Sequence, residues 1–140
     1  MRSTMEILET AAKQRADVIT EKQKNDTLNA MADALEAQIP HILAENALDM
    51  RDATSISAVM RDRLALNETR IRAMADGVRA VAQLPDPVGR VLRSIECSNG
   101  LKIEKVAVPL GVVAIIYESR PNVTSDAAAL ALKSGNVCIL

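Results

Sequence analysis

Apolar positions in the first ninety residues recur every three or four positions, a spacing typical of amphipathic helices. Three helix-start signals divide this region: a capping box formed by Thr20 and Gln23, Pro40 in a first turn, and Asn67 as a capping residue. Together they predict four helices and leave residues 54–62 as a looser stretch. The positions that define the apolar faces are Ile7, Leu8, Ala11, Ala12, Leu28, Met31, Ala32, Leu35, Ile42, Leu43, Ala47, Met50, Ile71, Met74, Val78 and Val81.

The pattern changes after residue 84, where the run LPDPVG ends helix formation because its two closely spaced prolines cannot sit inside a helix. Residues 91–97 and 101–108 then alternate in character and are joined through Ser98, Asn99 and Gly100. Asn-Gly is typical of a tight hairpin turn with positive φ at both positions. The sequence therefore predicts a β-hairpin that ends before Pro109.

A strand, a helix and a second strand are predicted after Gly111. Residues 112–117 form a continuous, largely β-branched run typical of a buried parallel strand. A helix over residues 123–134 follows, with Gly135 and Asn136 as its C-cap signal, and residues 137–140 again read as a buried strand. This order predicts a right-handed βαβ unit.

The predicted fold class is α/β, with three consecutive parts. Residues 1–88 form amino-terminal helices, residues 89–109 form the hairpin, and residues 110–140 form the first βαβ unit of an incomplete Rossmann-like domain. A single βαβ unit leaves apolar strand faces and edges uncovered, which a complete soluble domain avoids. We therefore expect a piece of a longer protein whose reaction centre lies outside this chain, and we expect the isolated chain to self-associate.

Composition excludes several classes of partner. Tyr117 is the only aromatic residue, so the chain has no aromatic surface on which the bases of single-stranded nucleic acid could stack. The 17 basic and 18 acidic residues give a net charge of −1, and no basic block is present to bind a phosphate backbone. The apolar runs are too short to cross a bilayer, and the first ten residues do not resemble a secretory signal. We expect a cytoplasmic protein that binds neither nucleic acid nor membrane.

The residues most often used in catalysis do not form a constellation. Cys97 and Cys138 lack metal-binding or redox spacing, and His41, the only histidine, lies in the helical region. We interpret both cysteines as structural, and Lys133 as a charge that complements the end of its own helix. Because the chain has no Gly-x-Gly-x-x-Gly fingerprint, cofactor binding cannot be argued from glycines.

Residues 108–140 carry three specific motifs in order, PLGV, YESRPNVT and LKSGN. In this order they resemble gamma-glutamyl phosphate reductases, also called glutamate-5-semialdehyde dehydrogenases, of the aldehyde dehydrogenase superfamily. The segments AAKQ, DALEAQI, DRLAL and DPVG extend the resemblance over essentially the whole chain. The resemblance implies an aldehyde dehydrogenase type of cofactor-binding domain, and a hairpin similar to the superfamily element that adds to a neighbouring subunit of a homo-oligomer.

The resemblance also implies an activity, the NADPH-dependent reduction of L-glutamyl 5-phosphate to the semialdehyde and phosphate in proline biosynthesis. In that chemistry a cysteine thiolate displaces phosphate to form a thioester, which hydride from the nicotinamide then reduces. The family places this cysteine much later in the chain. The 140 residues are therefore expected to be inactive alone.

The candidate site residues lie in the segment YESRPN, which comes after a predicted strand and before a predicted helix. At such a helix amino terminus the free backbone N–H groups and the helix dipole favour binding of an anion. The resemblance implies that Asn122 is an oxyanion donor, and the alternative role is helix capping. Arg120 is a candidate for bidentate contact with phosphate or carboxylate, with a surface or interdomain salt bridge as its alternative. The remaining candidates, as contacts near the nicotinamide of NADPH, are Tyr117, Glu118, Ser119 and Pro121.

Two other functions stay open. One is a non-catalytic association protein that uses the helices and the hairpin. The other is a related dehydrogenase acting on a free aldehyde, which YESRPN disfavours because the wider superfamily more usually carries Pro-Trp-Asn there.

Overall fold

The computed structural model describes residues 3–14, 19–118 and 120–140. Within these ranges the chain is a mixed α/β structure, and the predicted fold class is confirmed. The elements in chain order are α1 (Thr4–Gln14), α2 (Glu21–Ala37), α3 (Ile39–Asp52), α4 (Ala58–Leu64), α5 (Glu68–Gln83), β1 (Val91–Glu96), β2 (Lys102–Val106), β3 (Val112–Ala114), α6 (Pro121–Lys133) and β4 (Val137–Ile139).

The three predicted helix starts are confirmed, two of them by capping hydrogen bonds. The backbone N–H of Thr20 donates to the Gln23 side chain at 2.8 Å, and the N–H of Gln23 donates back to the Thr20 hydroxyl at 3.3 Å. Asn67 accepts from the N–H of Arg70 at 2.8 Å, and Pro40 lies in the first turn of α3. These caps satisfy N–H groups that a helix end otherwise leaves unpaired.

The looser stretch predicted for residues 54–62 is wrong in part, because α4 (Ala58–Leu64) begins inside it. Ser57 caps this helix by accepting a hydrogen bond from the N–H of Met60 at 3.3 Å. No residue of α4 is buried, so no apolar periodicity marks it. Short exposed helices depend on their caps and neighbours, and this one escapes pattern analysis for that reason.

Small side chains build the core between α2, α5 and α6. Leu28 and Val78 are fully buried and pack with a group of alanines; the cluster consists of Leu28, Ala32, Ala75, Val78, Ala82 and Ala129. Alanine lets helix backbones approach closely, which suits a chain almost without aromatic residues. The apolar face predicted for α1 is covered only at Ala11, since Ile7 and Leu8 are exposed.

The predicted hairpin is confirmed, with β1 and β2 antiparallel and Ile95 opposite Ile103. Its turn differs from the prediction. Only Gly100 has positive φ, at 81°, and the N–H of Cys97 donates to the carbonyl of Leu101 at 2.8 Å. The loop thus has three residues and needs the left-handed conformation once, at its glycine, whereas the predicted two-residue turn would need it twice.

The predicted βαβ unit is also confirmed, with β3 and β4 parallel and Val113 paired with Cys138. The first strand is shorter than predicted: β3 ends at Ala114, and Ile116 is fully exposed. Its last ladder bond runs from the N–H of Ile115 to the carbonyl of Ile139, where β4 ends. Helix α6 starts two residues earlier than predicted because proline suits a first helical position.

Two buried lysines form polar contacts with α2 or from it: Lys133 connects α6 to α2, and Lys24 connects α2 to the segment after α5. Lys133 lies in the last turn of α6, as predicted, but its ammonium group donates to the carbonyl of Ala82 at 2.9 Å and to Asn25 at 2.6 Å. It therefore serves the carboxyl end of α5, a different helix from its own. Lys24 forms a bidentate ion pair with Asp86 at 2.8 and 3.0 Å.

Candidate functional site

A cleft of about 400 Å³ opens where the α4–α5 loop faces the start of α6. Part of its lining comes from the start of α6, the helix that follows β3 in the chain, and open α/β sheets bind their ligands beyond the carboxyl ends of their strands. Its volume suits a small molecule. The residues that line it are Asp62, Arg63, Ala65, Leu66, Arg70, Ala73, Met74, Arg120, Asn122 and Asp126. This group is called the loop cleft below.

Asn46 supports the α4–α5 loop that lines this cleft. It is 6% exposed, and its amide donates to the carbonyl of Leu64 at 3.0 Å while its oxygen accepts from the N–H of Leu66 at 2.8 Å. One side chain thus satisfies two backbone groups on either side of Ala65. A buried amide with both functions engaged makes a loop conformation specific.

Arg70 also supports this loop. Its guanidinium donates to the carbonyl of Asp62 at 2.5 Å, to the carbonyl of Ala65 at 2.6 Å and to the Asp62 carboxylate at 2.9 Å. Such a set of charge-assisted bonds commits this arginine to structure. Arg63, next to Asp62, also lines the cleft, and among the described residues its side chain does not bond to the loop backbone.

Asn122 is the second residue of α6, and Arg120 occupies the N-cap position. The capping alternative for Asn122 is therefore wrong. Its side-chain amide instead donates to the Asp126 carboxylate at 3.1 Å, one helical turn further on. An Asn amide carries two N–H bonds, so this contact orients the group and leaves a second donor for a ligand.

Glu118 lies between the two arginines of the cleft that do not hold the loop. One of its carboxylate oxygens is 3.5 Å from Nη1 of Arg63 and 3.9 Å from Nε of Arg120. All three side chains are between 42 and 62% exposed, so these contacts contribute little to stability. The surface ion pair considered as the alternative role of Arg120 is present, and its contact with a ligand stays a prediction.

The other candidates lie beside this cleft. The Tyr117 hydroxyl is 2.6 Å from the hydroxyl of Thr124, which ties the end of the β3 segment to the first turns of α6. Pro121 begins α6 and borders an adjoining apolar groove of about 560 Å³. Ser119 lies outside the described residues. The described members of the YESRPN segment therefore gather at one end of α6.

The cysteines and the histidine stand apart from the cleft. Cys138 lies in β4, where burial raises the pKa of its thiol, the opposite of what a nucleophile needs. Cys97 lies in the hairpin turn and His41 in the first turns of α3. Among the described residues no group of three or more His, Cys, Asp or Glu side chains could hold a metal ion, and none of their helices could cross a membrane.

Sequence reasoning missed Asn46, Arg63 and Asp126 as parts of the site. Arg63 belongs to the segment DRLAL, which carried the resemblance without being given a role. Asp126 follows Asn122 at the four-residue spacing of helical neighbours, a signal that was available. Asn46 carries no such signal, because its partners are backbone groups about twenty residues away.

Several known proteins similar to this chain are gamma-glutamyl phosphate reductases, and no protein-family model matches it. A gamma-glutamyl phosphate reductase of Streptococcus suis is 55% identical over 100% of the chain, which spans 35% of that protein. The solved gamma-glutamyl phosphate reductase of Thermotoga maritima matches 96% of the chain at 38% identity and a TM-score of 0.89. That of Saccharomyces cerevisiae matches 100% at 34% identity and a TM-score of 0.90. The chain covers 33% and 37% of these two, so it spans about a third of each relative.

Proposed function

We propose that this chain, which belongs to the gamma-glutamyl phosphate reductase family, supplies one wall of an NADPH-dependent active site. It is the counterpart of the amino-terminal third of that family's proteins. The reaction takes L-glutamyl 5-phosphate, NADPH and a proton to L-glutamate 5-semialdehyde, NADP and phosphate, a step of proline biosynthesis. The loop cleft, lined by Arg120 and Asn122 at the start of the helix that follows β3, is the observation that carries this proposal.

Asn122 is the proposed oxyanion donor. As a thiolate attacks the acyl carbon, the acyl oxygen gains negative charge, and a fixed amide N–H stabilises that charge more than it stabilises the substrate. Asp126 supports this role because its carboxylate fixes which way the Asn122 amide points. The nucleophilic cysteine is expected in the other two thirds of the enzyme, since Cys138 has a raised thiol pKa and Cys97 lies in the hairpin turn.

The proposed cofactor is NADPH, which supplies hydride when bound. Tyr117, Ser119 and Pro121 are the proposed contacts near its nicotinamide, and Glu118 is included by its position. Support comes from the order of the chain, since Tyr117 follows β3 and Pro121 begins α6, and Rossmann-like sheets hold dinucleotides at such strand-to-helix connections. For Glu118 the contacts with Arg63 and Arg120 favour a role in which its carboxylate pairs with these two arginines.

The test is a chimera in which this chain replaces the corresponding third of the Streptococcus suis relative. The assay is the reverse reaction, phosphate-dependent reduction of NADP with glutamate 5-semialdehyde, followed by NADPH absorbance. We expect turnover by the chimera, no turnover by the 140 residues alone, and a loss of about a hundredfold in kcat with Asn122→Ala. An inactive chimera beside an active parent, or turnover by the isolated chain, would show that the proposal is wrong.

A second candidate function is association through the hairpin. Every residue of β1 and β2 is exposed, including the cross-strand partners Ile95 and Ile103 at 41 and 49%. Exposed strand edges with apolar side chains pair readily with another chain, here proposed to be a second copy in a homo-oligomer. Replacing both isoleucines by glutamate should lower the sedimentation coefficient of the chimera, and an unchanged coefficient would refute the role.

A cytoplasmic location is part of the proposal. Its support is that both cysteines, Cys97 and Cys138, are free thiols, as is usual in a reducing compartment.

A further inference from the structure

The loop cleft holds charges of both signs, and they are not equally engaged. Arg70 and Asp62 are bonded to each other, and Arg70 is further bonded to the loop backbone. Within the part of the chain that the structure describes, the guanidinium groups of Arg63 and Arg120 form ion pairs only with the Glu118 carboxylate, at 3.5 and 3.9 Å. Both distances exceed the 2.7–2.9 Å typical of a charge-assisted hydrogen bond.

Glu118 therefore places a carboxylate between two guanidinium groups without binding tightly to either. A ligand carboxylate that reached both arginines at normal hydrogen-bond distance would displace it at little cost, because exposed ion pairs contribute less than about 1 kcal/mol. Arg63 is well placed for this because Asn46 and Arg70 fix the backbone on which it stands. Preorganisation of this kind lowers the entropic cost of binding.

We infer that Arg63 and Arg120 bind the α-carboxylate of the amino-acid substrate, and that the Glu118 carboxylate occupies the same position and competes with it. This inference rests on the proposed function and adds specificity-determining residues to it. Asp126, on the same cleft, supplies a negative charge that an α-ammonium group requires and that a phosphate group would avoid. The mixed charge therefore favours the zwitterionic end of the substrate over its phosphate.

The experiment measures two KM values in the chimera, one for glutamate 5-semialdehyde and one for phosphate. Arg63→Gln should raise KM for the semialdehyde roughly ten- to a hundredfold, leave KM for phosphate unchanged and keep kcat within about threefold, because it removes charge-assisted bonds to one substrate only. Arg63→Lys should recover part of that loss. Glu118→Gln should act in the opposite direction and lower KM for the semialdehyde about two- to fivefold.

Arg51→Gln is the matched control, because Arg51 is an exposed arginine that pairs with its neighbour Asp52 and does not line the cleft. A rise in KM for phosphate with Arg63→Gln would instead assign the arginines to the phosphate group and overturn the inference. Unchanged KM values, or equal loss of kcat in the Gln and Lys variants, would overturn it as well. Failure of the proposed function is distinct, since the unmutated chimera would then lack phosphate-dependent turnover.

Discussion

The ion pair between Lys24 and Asp86 offers the sharpest test of what holds this chain together. Lys24 lies on α2 with its side chain 3% exposed, and Asp86 follows α5 with its side chain 16% exposed. Both carboxylate oxygens accept from the ammonium group, and one also accepts from the N–H of Val88 at 2.9 Å. Asp86→Asn keeps the shape and removes the charge, which leaves a buried cation without its counter-ion.

Breaking a buried ion pair by removing one partner costs about 3–5 kcal/mol, and the partial exposure of Asp86 places this variant near 3 kcal/mol. Lys24→Met should cost less, about 1–2 kcal/mol, because the remaining carboxylate reaches water and keeps its bond from Val88. The double variant should be more stable than Asp86→Asn alone, since no cation is then left unpaired.

The pH dependence has a definite sign. Burial alone would raise the pKa of Asp86, but the hydrogen bonds from Lys24 and Val88 outweigh it, so the pKa lies below its ordinary value. A carboxyl with a lowered folded pKa stabilises the fold above its unfolded pKa of about 4, and this contribution is lost as the pH falls through the lowered value. The gap between the wild type and Asp86→Asn should therefore be full at neutral pH and shrink in acid.

Urea denaturation of the 140-residue chain, followed by far-ultraviolet circular dichroism, measures this gap. A difference below about 1 kcal/mol at neutral pH would refute the buried-pair reasoning. So would a gap as wide at about pH 2 as at neutral pH, because the carboxylate would then not be its source.

Three further outcomes are expected. Asn46→Ala should lower the free energy of unfolding by about 2 kcal/mol in the same urea assay, since two backbone groups lose their partner; an unchanged midpoint would mean that water replaces it. Asp126→Ala should lower kcat of the chimera about tenfold with little change in melting temperature, because it frees the Asn122 amide to rotate; equal kcat would remove its positioning role. Cys138 should react with iodoacetamide more slowly in the folded chain than in urea, and equal rates would contradict the raised thiol pKa.

Local signals in the sequence determined most of the elements. The capping box at Thr20, the cap at Asn67 and Gly135 after α6 act within a few residues, so their effect can be read without knowing the fold. The hairpin and the βαβ order are likewise set by short segments and turn residues. The place of YESRPN between a strand and a helix followed from this order, and it brought the candidate residues to one end of α6.

Tertiary structure decided what depends on distant partners. Helix α4 has no buried residue to give it a periodic pattern, and β3 stops at Ala114 because its ladder reaches only to Ile139 of β4. Lys133 became a buried donor to α5, and Asn46 became the support of a loop about twenty residues away. The loop cleft is lined by residues of α4, α5 and α6, which the alanine-rich core holds together. Its charges are far apart in sequence, and no local pattern specifies such distant neighbours.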